Sequence, residues 1–276
     1  MTPPKASLTA RERARAELTR EIKEEARRQL AGTGADGLSL RAVARELGMV
    51  SSALYRYFPS KDDLLTALII DAYDAVGERV EAAITAVPGE PLPGEPVPGE
   101  PLPGGGARDG AAIQVVRERW LAGCRAVRGW ARAHPHEYAL IYGSPVPGYQ
   151  APESTIGPAA RVPFAMISVL RDAAGNGLLP AGRDAAGNAS AGDAVDGELA
   201  DQAVAVAALV AAADPGPPGD PLPADVVVRA VIAWAQVFGM VSFELFGQFA
   251  NTFDPADALF DYAAGQMVSF VLGTGK

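Results

Sequence analysis

Residues 39–61, SLRAVARELGMVSSALYRYFPSK, constrain the fold more than any other part of the chain. Leu40, Val43, Ala44 and Leu47 fall at helical spacing behind Ser39, a residue type that caps helix N-termini through its side-chain oxygen. Gly48 then ends that short helix, because glycine alone enters positive φ at little cost and lets the chain reverse within a few residues. A second short helix is expected from Val50 or Ser51, burying Ala53, Leu54 and Phe58 and leaving Ser51, Ser52, Tyr55, Arg56 and Tyr57 outward. Two short helices around a tight glycine turn form a helix-turn-helix. Its outward hydroxyls, phenols and guanidinium suit phosphate and base-edge contacts.

Charge supports the same reading once it is divided along the chain. The net charge of -9 over 276 residues argues against nucleic acid, whose affinity for proteins rests on Lys and Arg neutralising phosphates. Residues 1–61, however, carry 12 Lys and Arg against 7 Asp and Glu, a balance of +5, whereas residues 62–276 carry 12 against 26, a balance of -14. An acidic remainder repels DNA and leaves the N-terminal face to approach it.

Upstream, residues 9–31 predict a long helix with Leu18, Ile22, Ala26 and Leu30 along one stripe, ended by the glycines of GTGADG. That stripe finds its partners in the two short helices. Downstream, Ser60 caps a helix from Lys61 whose apolar stripe runs from Leu64 to Ile84 and ends near Val87, too long to serve the small unit alone. Further helices are expected at about 110–133, 135–143, 158–177, 199–213, 224–250 and 255–272, and no alternating strand pattern competes with them. The fold class expected is therefore all-α.

The segment GLSLRAVARELGMVSSALYRYFPSKDDLLTALI resembles the N-terminal domain of the TetR (tetracycline repressor) family, most specifically in ALYRYFPSKDDLL. The resemblance implies an N-terminal three-helix DNA-binding domain joined by a long helix to a larger helical ligand-binding and dimerisation domain. It also implies a homodimer on double-stranded DNA with a recognition helix in each major groove. By position, Tyr55, Tyr57 and Lys61 match phosphate contacts, while Val50, Ser51, Ser52 and Arg56 match the groove-facing part of the recognition helix. Ser39 and Arg41 match the backbone-contacting start of the preceding helix. The expected divisions are 8–60 for the DNA-binding domain, 61–87 for the connecting helix, 88–106 for a Pro/Gly-rich linker, and 107–276 for the effector-binding and dimerisation domain.

Three Pro/Gly-rich segments, 88–106, 180–198 and 214–223, read as loop insertions, since proline forbids helix and glycine prevents stiffness. The helices expected at 224–250 and 255–272 carry few charges, so each wants burial on two sides, and pairing with symmetry mates in a four-helix bundle satisfies that need. A second resemblance covers HPHEYALIYGSPVPGYQAPE with WAQVFG: these are similar to a TetR subgroup named for a Trp, His and Gly pattern. Trp234 and Gly239 match it, whereas Phe238 stands in the place of the histidine.

An effector of such a domain is expected to be apolar or aromatic, with Trp120, His134, Tyr138, Tyr142, Trp234, Phe238 and Phe243 as candidate pocket residues. Asp201 and Glu244 are the carboxylates available to a cationic one. Catalysis is poorly supplied. Ser144 sits in GSPVPG rather than a GxSxG elbow, no GxxxxGK[ST] loop occurs, and one cysteine (Cys124) with two histidines (His134, His136) offers no zinc set. No cofactor is implied. The charged N-terminus and the absence of a run of about 18 apolar residues predict neither signal peptide nor membrane span, hence a cytoplasmic protein. The reading is a one-component, effector-responsive repressor; an effector-independent DNA-binding or adaptor protein is the alternative, and an enzyme a remote one.

Overall fold

A computed structural model describes residues 9–88, 105–179, 195–213 and 222–273. All regular structure among these is helical: α1 (Ala10–Gly37), α2 (Leu40–Glu46), α3 (Ser51–Leu54), α4 (Lys61–Ala86), α5 (Gly105–Ala133), α6 (Pro135–Tyr142), a 3-10 turn (Glu153–Thr155), α7 (Ile156–Gly175), α8 (Gly197–Ala213), α9 (Ala224–Leu245) and α10 (Asp257–Val271). Nearly all of the three Pro/Gly-rich segments lies outside the described residues, although α5 and α8 each begin inside the loop boundary expected from sequence.

Local chemistry explains the helix ends. Thr9 caps α1 in a reciprocal box: its hydroxyl accepts from the Glu12 amide at 3.2 Å, and its own amide donates to Glu12 Oε2 at 2.7 Å. The backbone bond from Thr9 holds the Glu12 carboxyl below the ordinary carboxylate range. The helical run of α1 is broken at Gly34, whose φ of 70° only glycine adopts cheaply. Ser39 caps α2 by accepting from the Ala42 amide at 3.4 Å, and Gly48 turns the chain at φ 66°, both as the sequence predicts. Ser60 caps α4 through the Asp63 amide at 3.1 Å.

The chain forms two compact units, Met1–Ala75 with His134–Ala159, and Val76–Ala133 with Ala160–Lys276. In the first, Ile22, Ala26 and Leu30 of α1 are buried with Val43, Leu54, Phe58, Leu64 and Leu68. This is the three-helix unit expected from the stripes, closed by the first half of α4. The segment His134–Ala159, expected with the C-terminal part, instead packs here: α6 lies on α1, Arg27 reaches both Glu137 (2.9 Å) and Asp71 (2.6 Å), and Thr66 and Tyr149 share a hydrogen bond of 2.9 Å.

In the second unit α5 packs on α9 and α10, α9 on α10, and α8 on α9. The Arg128 guanidinium pins this arrangement, donating to Glu244 Oε2 (2.6 Å) and Oε1 (2.7 Å) and to Asp257 Oδ1 (2.9 Å), while lying over the Phe260 ring at 5.1 Å. Those bonds, the Glu244 pair foremost, raise the Arg128 pKa above its ordinary value, and the same guanidinium lowers the Asp257 carboxyl. Helix α9 is long and apolar enough to cross a membrane by length and composition alone, contrary to the expectation from sequence. It carries Asp225, Arg229 and Glu244 and packs on α5, α8 and α10, with about a third of its most apolar stretch buried.

Candidate nucleic-acid interface and ligand cavity

The second helix of the helix-turn-helix is a single turn. Helix α3 spans four residues, and the chain continues in tight turns in which the amides of Tyr55, Arg56 and Tyr57 donate to Ser51, Ala53 and Leu54. Leu54 and Phe58 are buried and fix its inner side. Ser52, Tyr55 and Arg56 are exposed, and Val50 is 70 % exposed at the N-cap, a costly position for an apolar side chain unless it meets a partner. Ser51 and Tyr57 are half-buried. The Tyr57 ring packs at the edge of the core and receives the Arg15 guanidinium at 5.6 Å, so it braces α1 as well as edging the surface.

Helix α2 presents Arg41 from its first turn, exposed, while the Ser39 hydroxyl is occupied as a cap. Lys61, expected to face phosphate, is half-buried and donates to the Asp36 carbonyl at 2.9 Å. This bond ties the start of α4 to the end of α1 and leaves two ammonium protons for other acceptors. The structure brings Arg41, Ser52, Tyr55 and Arg56 to the surface of one unit as exposed polar groups, a set able to donate to phosphates and to guanine or adenine edges.

A cavity of about 310 Å³ lies within the second unit. Trp120, Trp234 and Phe238 line it as expected, with Trp234 and Phe238 stacked at 4.9 Å and 21°. The other candidates lie elsewhere. Tyr138 is wholly buried in the first unit, in ring contact with Tyr142 at 5.2 Å, and the half-buried Tyr142 meets Tyr73 edge-on at 5.8 Å, so both belong to the packing of that unit. His134 is exposed and stands at the N-cap of α6. Phe243 is 53 % exposed and touches Phe249 at 5.8 Å. Of the two carboxylates, Glu244 is taken by Arg128, and Asp201 is exposed on α8.

Sequence reasoning favoured aromatic residues and passed over the aliphatic wall from α7, where Val162, Pro163, Met166, Ile167 and Leu170 face the cavity. Their i, i+4, i+8 spacing is the legible signal. Cys124 also lines the cavity, and burial pushes its thiol up to about 12, so it is a small apolar wall residue and not a nucleophile. Beside Cys124, a Cβ at Gly123 would meet Met166 Sδ at 2.6 Å and Ile84 at 3.3 Å, so a side chain there makes the flexible end of Met166 move and Ile84 give slightly.

Comparison with known proteins places these two features in one family. Residues 22–68 match the model for bacterial regulatory proteins of the tetR family, and residues 120–267 match a tetracyclin repressor-like C-terminal domain. The helix-turn-helix transcriptional regulators Mb1846 of Mycobacterium bovis and Rv1816 of Mycobacterium tuberculosis are each 37 % identical over 237 residues, covering 86 % of this chain and 84 % of theirs. The crystal structure of a regulatory protein, SCO4313, superposes with a TM-score of 0.64 at 28 % identity, over 94 % of this chain and 98 % of that one. A Rhodococcus protein of unknown function shares the fold at a TM-score of 0.60 and 18 % identity, over 98 % of this chain and 100 % of that one. The chain belongs to the TetR family of DNA-binding transcription regulators.

Proposed function

We propose that the protein is an effector-responsive repressor that binds a palindromic operator as a homodimer, reading it with Arg41, Ser52, Tyr55 and Arg56. The observation that carries this reading is the pairing, in one chain, of a helix-turn-helix with exposed donors and an apolar cavity in a separate compact unit. Helix α4 is the covalent link, its first half in the DNA-reading unit and its second half, with Val76, Val80 and Ile84, buried in the other. A route from cavity to α4 exists within the second unit. Helix α7 lines the cavity, and its Arg161 grips Glu81 of α4 through two bonds of 2.9 and 2.7 Å. An effector that fits one placement of α7 better than another biases α4 through this grip, and a differential of about 1–3 kcal/mol is enough to regulate.

The dimer is assigned to α9 and α10, which expose Val231, Ile232 and Phe243, and Tyr262 and Phe270, respectively. The Trp-His-Gly subgroup is supported by Trp234 and Gly239, and the stacking of Phe238 on Trp234 suits an aromatic replacement for the histidine. A regulator of this kind acts in the cytoplasm, where its DNA is, and needs no catalytic residue or cofactor.

Fluorescence anisotropy on the DNA upstream of its own gene, against a scrambled duplex across a salt series, tests the reading. Selective binding with a steep salt slope, by a species that sediments as a dimer, is the expected result. Equal, weak binding to both duplexes at every salt concentration overturns the placing of an operator in that DNA, and a sedimenting monomer overturns the assignment of α9 and α10.

A further inference from the structure

Charge pairing divides α1 in two. From Arg20 onward every cation is matched: Arg20 to Glu17 and Glu24, Lys23 to Asp71 at 2.7 Å, Arg27 to Asp71 and Glu137, and Arg28 to Glu25. The first two turns differ. Residues 10–17 are exposed throughout, and among the described residues no carboxylate pairs with Arg11, Arg13 or Arg15. The two acids nearby are engaged, Glu12 by Thr9 and Glu17 by Arg20, and residues 1–8 bring Lys5 and no acid.

Arg15 joins this exposed stretch to the helix-turn-helix. Its guanidinium lies over the ring of Tyr57, in the turns that follow α3 and carry Tyr55 and Arg56, at 5.6 Å, and a guanidinium over a ring keeps its N–H donors. At 3.6 residues per turn, Arg11 falls about 40° from Arg15 on the same side and about 6 Å nearer the helix start, while Arg13 falls about 160° away. Like charges one turn apart repel, and a cation in the first turn opposes the helix dipole, so this pair works against α1 until an anion meets it. We infer that Arg11 and Arg15 form a second DNA contact beside the helix-turn-helix, one that takes backbone phosphates irrespective of base sequence. Opposite charge and continuity with the DNA-reading surface both name the occupant. The contact needs only the DNA binding common to the family, and no effector.

Anisotropy titrations of the full-length protein across a salt series test it on two duplexes: the tightest binder that the protein selects from a randomised pool, and a scrambled version of it. Arg11→Gln with Arg15→Gln is expected to weaken both duplexes by the same factor, about 5- to 10-fold per side chain at about 0.1 M salt. The slope of log K against log salt is expected to become shallower by about 0.9 per side chain, counted per protomer bound. Arg13→Gln removes the same charge from the opposite side and is expected to change the slope by less than about 0.3. Should loss of the Tyr57 contact disturb the fold of the double variant, Arg11→Gln alone decides, since it leaves that contact in place. A slope change in Arg11→Gln no larger than that in Arg13→Gln overturns the contact. A loss confined to the selected duplex overturns its indifference to sequence and makes it a base contact. A wild-type protein that binds neither duplex overturns both DNA surfaces together.

Discussion

Removing Arg128 tests whether the second unit is held by a buried ion pair or by apolar packing alone. Its side chain is 10 % exposed and that of Glu244 is 17 % exposed, with two parallel bonds between them, so this arm is desolvated and strongly directional. The Asp257 arm is 56 % exposed and contributes little after solvent screening. Arg128→Met keeps the apolar stem and strands Glu244, whose remaining cation is Arg132 at 3.7 Å, itself half exposed. Breaking a fully buried pair costs about 3–5 kcal/mol, and the partial exposure here with the residual Arg132 brings this to roughly 2–3 kcal/mol. For a chain of this length that is a fall in melting temperature of roughly 4–6 °C. Scanning calorimetry at a fixed protomer concentration measures it, since a dimer's stability depends on concentration. The companion variant Arg128→Met with Glu244→Leu removes both charges and is expected to recover more than half of the loss, a coupling of at least about 1 kcal/mol. A single substitution costing under about 0.5 kcal/mol, or a double variant whose loss is the sum of the singles, refutes the reasoning.

Arg56→Ala is expected to weaken operator binding and relax the preference at one base pair by about 1–3 kcal/mol; a uniform loss across operator variants, measured by anisotropy, makes it a phosphate contact instead. Lys61→Met breaks the bond to the Asp36 carbonyl and is expected to lower stability by about 1 kcal/mol without changing the salt slope of DNA binding; a slope reduced by about 1 restores the phosphate role given by the resemblance. Gly48→Val places a β-branched residue at φ 66° in otherwise open space, and a loss of roughly 1–2 kcal/mol in urea unfolding is expected from backbone strain alone, with Gly48→Asn losing less than half of that. Arg128 holds the Asp257 carboxyl below its ordinary 3.8, so its contribution to stability is complete above that value and is lost as pH falls through the lower folded value; Asp257→Asn is expected to flatten this part of the acid limb in melts taken from pH 6 to pH 2.

The features legible from sequence are those whose cause lies within a few residues. Gly48 announces the turn because the reversal needs positive φ at that point, and Ser39 and Ser60 announce helix starts because a cap acts on amides three residues away. The α1 capping box is equally local, and Thr9-x-x-Glu12 carries its signal, although the apolar stripe alone does not reveal it. Choice of partner is a different kind of fact. Arg27 meets Glu137 across 110 residues and Arg128 meets Glu244 across 116, and nothing in the spacing of either pair selects the other.

The aromatic residues carry the consequence of that difference. Trp120, Tyr138 and Trp234 are alike in sequence, each on an apolar helical stripe, and periodicity can say only that each is turned inward. Tyr138 packs into the core of the unit that carries the helix-turn-helix, because α6 runs along α1 and leaves no space beside it. Trp120 and Trp234 meet the side of α7 where Val162, Met166 and Leu170 stand back far enough to leave room for a guest. A pocket is therefore a property of the residues opposite, and the aliphatic wall from α7 marks it as much as the aromatics that furnish it.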